Sequence, residues 1–215
     1  MKSIFTTLLL LLTLCRFGEA APVSLFNGQN LEGWEGETAS VWRVIDEVIV
    51  GGSLEGNPQN EFLATKKKYR NFILKLEYKL IGNEGFVNGG VQFRSVRILN
   101  PPNEMSGYQA DIGAGYSGCL YDESRRKTML AKPEKELVDA IEKPGEWNRY
   151  EIRAEEQRIQ LFLNGTRTVD FTEREAGMEM AGVIALQIHG KSKAQVSFRN
   201  IVIETLPDAS VSDAK

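Results

Sequence analysis

The chain has 215 residues, a net charge of −3, 42% hydrophobic and 26% charged residues, one histidine and two cysteines. That is enough chain to bury a full core, and a mildly acidic composition with no basic block argues against nucleic acid as a partner. One histidine and so few cysteines cannot supply the usual zinc ligand set; the metal left to consider is an oxygen-ligated cation of the Ca²⁺ or Mg²⁺ type through Asp111, Asp122 or Glu123.

In chain order, Lys2, the apolar run from Ile4 to Cys15 and the small-x-small site Gly18-Glu19-Ala20 read as a secretory signal peptide over residues 1–20, too short for a membrane span. The expectation is an exported protein, periplasmic or extracellular, whose mature chain has no membrane span. Cys119 is then its single cysteine, so no intramolecular disulfide forms. A domain is expected over 21–206 and a polar, disordered tail over 207–215.

Within the domain, alternation of apolar and polar residues dominates. Phe72 to Leu80 alternates strictly, with Lys75, Glu77 and Lys79 on a wet face, and Tyr150 to Ala154 repeats the pattern. Arg158–Leu163 and Thr166–Phe171 flank Asn164-Gly165, a two-residue hairpin signal that is also part of a glycosylation sequon. Further strands are expected at 41–45, 48–50, 61–65, 89–95, 107–112, 118–121, 182–189 and 195–203. Only Glu134–Ile141 reads as helix, with Leu137 and Ile141 sharing a face. Trp34, Trp42 and Trp147 are expected in the core. The chain is therefore expected to be all-β: a jelly-roll β-sandwich of two antiparallel sheets.

Residues 113–118, Gly-Ala-Gly-Tyr-Ser-Gly, match G-x-G-x-x-G. That pattern signals a dinucleotide only between a strand and a helix of a βαβ unit. Here Cys119 to Asp122 continues as strand or turn, so the glycines are read as a tight bend.

Strand parity carries the functional signal. Gln92 and Arg94, then Gln109 and Asp111, then Gln187 and His189, each face away from the apolar side chains of their own strand. If the three strands share a sheet, these six side chains form one patch. Amides suit sugar hydroxyls, Arg94 suits a carboxylate or a developing oxyanion, and Asp111 with His189 can move protons. Tyr121, Asp122, Glu123, Arg125 and Arg126 form a dense polar run beside the bend.

Ser24-Leu25-Phe26-Asn27-Gly28 through Gly33-Trp34 resembles the opening of the 3-keto-disaccharide hydrolase domain family. The likeness continues through Trp42-Arg43-Val44, Phe62 to Thr65, Asn88 to Arg94, Gly107 to Asp111, Gly118 to Glu123, Glu146-Trp147-Asn148, Leu163 to Gly165, Leu186 to Gly190 and Phe198 to Ile201, about residues 23–205. Two positions depart from it: Gly89, where the family often has serine, and Asp46-Glu47, where Asp-Gly is common. The resemblance implies a concanavalin A-like lectin/glucanase fold whose concave sheet carries the site, and action on glycosides oxidised to a ketone at C3. Such a substrate needs a base for the C2 proton, a partner for the enolate oxygen and an acid for the leaving oxygen. By this reading His189 or Asp111 is the base, Arg94 and Gln109 bind the enolate side, and Tyr121 or Glu123 is the acid. Gln92, Gln187, Asp122, Arg125 and Arg126 would contact the oligosaccharide or glycoside. The alternatives are a non-catalytic lectin-like binding module, because this fold also hosts pure lectins, and an interaction domain on the outer cell surface.

Overall fold

The computed structural model describes residues 21–113 and 115–208; the expected signal segment and nearly all of the expected tail lie outside them. In chain order the elements are β1 (Val23–Ser24), β2 (Trp34–Glu35), β3 (Trp42–Ile45), β4 (Val48–Asn57), β5 (Glu61–Tyr69), β6 (Phe72–Gly85), β7 (Asn88–Arg97), β8 (Met105–Gly113), β9 (Leu120–Glu123), β10 (Thr128–Ala131), α1 (Lys135–Ile141), β11 (Asn148–Glu155), β12 (Arg158–Leu163), β13 (Thr166–Thr172), β14 (Gly182–Ile188) and β15 (Ser192–Thr205).

The strands form two antiparallel sheets. The first runs β13-β12-β11-β6-β15-β4-β3, with β1 also paired to β15; the second runs β10-β9-β8-β7-β14-β5-β2. Alternation decides what lies between them. Leu74, Leu76, Ile152, Ala154, Ile159 and Leu161 of the first sheet meet Val91, Phe93, Tyr108, Ala110, Ile184 and Leu186 of the second in one dry core. Each fully buried Leu, Ile or Phe contributes about 1.5–3 kcal/mol. The fold is all-β, a jelly-roll sandwich of the lectin and glucanase type.

Local chemistry sets the turns. Asn164 and Gly165 take φ of 50° and 85°, the paired left-handed residues of a tight hairpin. Asn164 Nδ2 donates to Ile141 O at 2.7 Å and Asn148 Oδ1 at 2.8 Å, so the sequon amide is consumed inside the fold. The glycine-rich run joins strand to strand: Tyr116 N and Ser117 N donate to Gly113 O, Gly118 N donates to Asp111 O, and β9 follows. No helix follows the bend, so the nucleotide reading fails.

In α1, Val138 and Ile141 pack against the core. One expectation shifts. Trp147 is half-buried, lying under the Arg199 guanidinium at 4.0 Å and Lys79 at 5.2 Å instead of in the core.

The outer faces of the two sheets differ. The first is wet and charged, with Lys75, Glu77, Arg149 and Arg153 in loose ion pairs. The second is mostly covered. The β7–β8 connection is tied over β5: Asn103 Nδ2 donates to Asn60 O, Asn60 Nδ2 to Glu104 Oε1, and Arg97 to Phe62 O. Beneath it Phe62, Ala64, Met105 and Ala185 form a second small apolar cluster. The rest of this face is left open as a cavity.

Candidate active site

Register assembles the cavity floor. Gln92 stands opposite Gln109, and Gln109 opposite Tyr121; Gly90 stands opposite Asp111 and beside Gln187. Period two then sends Asn88, Gln92, Gln109, Asp111, Tyr121 and Glu123 to the same outer face. Gly90 lowers that floor, because a Cβ there would come within 2.9 Å of the Gln109 side chain lying across it. The resulting cavity of about 280 Å³ is lined by Asn60, Phe86, Asn88, Gln109, Asp111, Tyr116, Tyr121, Glu123, Met129 and His189.

Asp111 is the electrostatic centre. It is 5% exposed, and burial, with the charge of Glu123 adding to it, pushes its carboxyl up to about 7 against the pull of a Gln109 hydrogen bond. That bond ends a directed chain: Ser95 Oγ donates to Gln92 Oε1 at 2.7 Å, Gln92 Nε2 to Gln109 Oε1 at 2.8 Å, and Gln109 Nε2 to Asp111 Oδ1 at 2.7 Å. Every donor points toward Asp111, so the amides are oriented from the hydroxyl onward. Tyr121 is also raised by burial, and its hydroxyl stays protonated at neutral pH. Glu123 is raised by burial first and by Glu104 second.

His189 follows β14 directly and its backbone N–H donates to Asn88 O at 3.0 Å. Its Nδ1 lies 2.8 Å from Gly190 O. A carbonyl only accepts, so Nδ1 carries a proton there, and Nε2 is the ring nitrogen left to face the cavity. The ring packs edge-on against Phe86 at 4.6 Å.

Thus Asp111, His189, Gln109, Tyr121 and Glu123 share one cavity, with Gln92 hydrogen-bonded beneath it. Arg94 does not join them, which corrects the expected juxtaposition. The β7 register shifts between Phe93 and Val96, Arg94 takes a φ of 48°, and the alternation ends there. The guanidinium is 1% exposed and is held by Arg70 O at 2.8 Å, Glu156 O at 2.7 Å and Asn71 Oδ1 at 3.1 Å, among turns that the cavity does not include. Burial lowers it to about 10, still charged at neutral pH.

Asp122, Arg125 and Arg126 are also elsewhere. Asp122 pairs with Tyr108, a core-facing position, and is fully buried on the opposite side of the sheet from Tyr121. Arg125 Nε binds its carboxylate at 3.0 and 3.1 Å, Arg126 binds the same carboxylate, and Arg126 Nη2 reaches Glu173 at 2.7 Å. Tyr108 Oη donates to Glu173 at 2.8 Å. Burial alone would raise Glu173, yet Arg126, the Glu175 amide and Tyr108 together pull it to about 2. These contacts tie the side chains into one structural network, in which Arg125 is hydrogen-bonded through Nε and not through its buried Nη2. Gln187 lies on the correct face, fully buried between Gly90 and Phe62, but it does not line the cavity, and neither of its amide atoms has a hydrogen-bond partner.

Asp122 points away from Asp111 and Glu123, and among the described residues no three His, Cys, Asp or Glu side chains converge to hold a metal ion. Gly89, one of the two departures from the resemblance, does not line the cavity: a Cβ there would meet Gln187 O at 2.7 Å and Val196 at 3.8 Å, so this backbone has no room for a larger residue without a shift.

Sequence reasoning missed Asn60, Phe86, Asn88, Tyr116 and Met129. Asn88 was within reach: it is two residues before Gly90 and four before Gln92, and one more step of parity finds it. It is 3% exposed and its amide lines the cavity without a hydrogen bond to the protein. Asn60 and Phe86 sit in connections, where no periodicity reports direction.

A larger hollow of about 480 Å³ lies on the outer face of the first sheet. Its charged lining is already paired, Lys75 with Glu151 at 3.7 Å and Arg149 with Glu77 at 3.7 Å, and it gathers no unpaired titratable group. The smaller cavity, by contrast, gathers Asp111, Tyr121, Glu123 and His189.

Comparison with known proteins agrees with the fold. A candidate glycosyl hydrolase from Parabacteroides distasonis superposes with a TM-score of 0.64 at 22% identity, covering 86% of this chain and 94% of its own. The carbohydrate-binding module CBM66 from Bacillus subtilis gives 0.62 at 16% identity, over 80% and 96% of the two chains. A Bacillus licheniformis β-glucanase gives 0.54 at 10%, over 89% and 100%. No curated protein matches the chain in sequence. At these identities the likeness establishes the architecture. The family match is more specific: residues 21–204 fit the family described as the 3-keto-alpha-glucoside-1,2-lyase-like domain, and the chain belongs to that family.

Proposed function

We propose that this protein cleaves glycosides whose sugar carries a ketone at C3, by elimination across C1 and C2 followed by hydration. The observation that carries this reading is a buried carboxyl, Asp111, held near 7 in the same cavity as an imidazole, an un-ionised phenol and a second carboxyl. A C3 ketone acidifies the C2 proton. Asp111 takes that proton, the electron pair forms the enolate at the C3 oxygen, and its return expels the C1 oxygen, which leaves as an alcohol once protonated. Water then adds across the new double bond, so the net change is hydrolysis. A base near pKa 7 matches proton abstraction at neutral pH. The free amide of Asn88, with Gln109 beside it, is the donor set for the enolate oxygen in place of Arg94. Tyr121, protonated and without a hydrogen-bond partner in the protein, is the acid for the leaving oxygen, with Glu123 beside it. His189 Nε2 is free to accept and relay a proton. Export to the periplasm or cell exterior belongs to the same reading: a glycoside-degrading enzyme placed where its substrates arrive.

The test is incubation of purified protein with a 3-keto-disaccharide and with its unoxidised parent in D₂O. Cleavage of the keto form alone, with deuterium at C2 of the product, supports the reading. Binding of the unoxidised sugar without turnover of either would make the protein a lectin-like module instead.

A further inference from the structure

Two aromatic side chains at the cavity mouth are not explained by packing. Phe86 is 42% exposed and Tyr116 is 39% exposed, although both are large and apolar. They come from different connections, Phe86 from between β6 and β7 and Tyr116 from the bend between β8 and β9. Yet they meet edge-to-face with ring centroids 5.6 Å apart, and Phe86 meets His189 at 4.6 Å. A line of rings therefore runs from the imidazole inside the cavity out to solvent.

Cavity size says what this line faces. About 280 Å³ lies just below the 300–1,000 Å³ of typical small-molecule sites, room for about one sugar ring. Whatever is bonded to C1 of that sugar must project past the mouth. The polar groups that would hold sugar hydroxyls, Asn88, Gln109, Tyr121 and Glu123, are more buried; the side of Phe86 and Tyr116 presents ring surface and one phenol. Two rings at 69° form a corner that a third flat ring completes in edge-to-face and offset contact.

We propose that Phe86 and Tyr116 form a leaving-group subsite for an aromatic aglycone, so that aryl glycosides are the preferred substrate class. This rests on the C3-keto reading of the cavity, and it predicts a selectivity in binding that reading does not require; in kcat/KM phenoxide is the better leaving group in any case, so there the loss of selectivity on removing a ring is the readout. The experiment uses phenyl and methyl 3-keto-α-D-glucopyranoside. Equilibrium binding of both is measured calorimetrically on Asp111→Asn protein, and kcat/KM of both on protein with Asp111 intact. The phenyl glycoside is expected to bind about tenfold more tightly. Phe86→Ala and Tyr116→Ala, made separately in each background and checked for native circular dichroism, should each reduce the phenyl-to-methyl ratio at least threefold. A binding ratio near one in protein with both rings intact, or ratios that both variants leave unchanged, overturns the subsite. If neither compound is turned over but the phenyl one binds tighter through these two rings, the catalytic reading falls and the subsite stands.

Discussion

The molecule holds two kinds of buried polar cluster, and they differ in what they leave open. Around Asp122 and Arg94 each charge is met inside the protein: Asp122 by two guanidinium groups, Glu173 by Arg126 and Tyr108, Arg94 by two carbonyls and an amide. Around Asp111 the hydrogen bonds arrive from one side only, through Gln109, and the other side faces a cavity with the free Asn88 amide, the Tyr121 hydroxyl and His189 Nε2. The residue types are alike. What separates structure from chemistry is the unpaired remainder, because a saturated charge has no capacity left for substrate, whereas an unsaturated buried carboxyl is already raised toward neutrality.

The contrast can be broken at several points. Asp111→Asn should lower turnover of a 3-keto-glycoside by about 10²–10⁴-fold with little change in circular dichroism, as for loss of a general base; activity within tenfold of normal would remove Asp111 from that role. Arg94→Met should do the reverse. It should cost about 3–5 kcal/mol in urea denaturation by removing the donor to Arg70 O, Glu156 O and Asn71 Oδ1, while the protein that remains folded keeps kcat/KM within a few-fold.

Asp111→Asn should also stabilise the fold at alkaline pH. The Asp111 carboxyl rises from an ordinary 3.8 to about 7 on folding, so its native environment favours the protonated form. Its contribution is fully present below about pH 4 and is lost as pH climbs through 7, where a buried charge remains. The variant should therefore gain about 1–3 kcal/mol over the normal protein at pH 8 and nothing at pH 4, read by denaturation at both. The same shift sets the activity profile. kcat/KM should rise with pH to a plateau above about 7, as the base ionises; a limb near pH 4 would mean that another group is being read. The smallest effect tests the amide chain. Ser95→Ala releases Gln92, weakens the Gln109 bond to Asp111 and should move the acid limb upward by a few tenths of a unit. Loss of stability alone, with the limb unmoved, would mean that Ser95 only packs.

Much of the fold is legible in the chain because period two is a local property. Phe72 to Leu80 states which face is wet, Asn164-Gly165 states where the chain reverses, and the same parity brought Gln92, Gln109, Asp111 and His189 to one side of a sheet before any strand order was known. The parity reading failed where geometry interrupts the period. At Arg94 a bulge redirects one residue that alternation would have kept with Gln92. At Asp122 the pattern was sound, since its neighbours Tyr121 and Glu123 face outward, but reading the polar run as one group overrode it.

By itself the sequence determined an all-β chain, the faces of its strands, the turns and the family, because each is encoded in residues near one another. Tertiary structure alone decided which charges would meet partners. Arg94 finds Arg70, Asn71 and Glu156, Asp122 and Arg126 join Tyr108 and Glu173, and Phe86 comes to lie between Tyr116 and His189. Pairing depends on segments distant in sequence arriving at a common place, and no local period reports whether a buried charge is satisfied there or left free for a substrate.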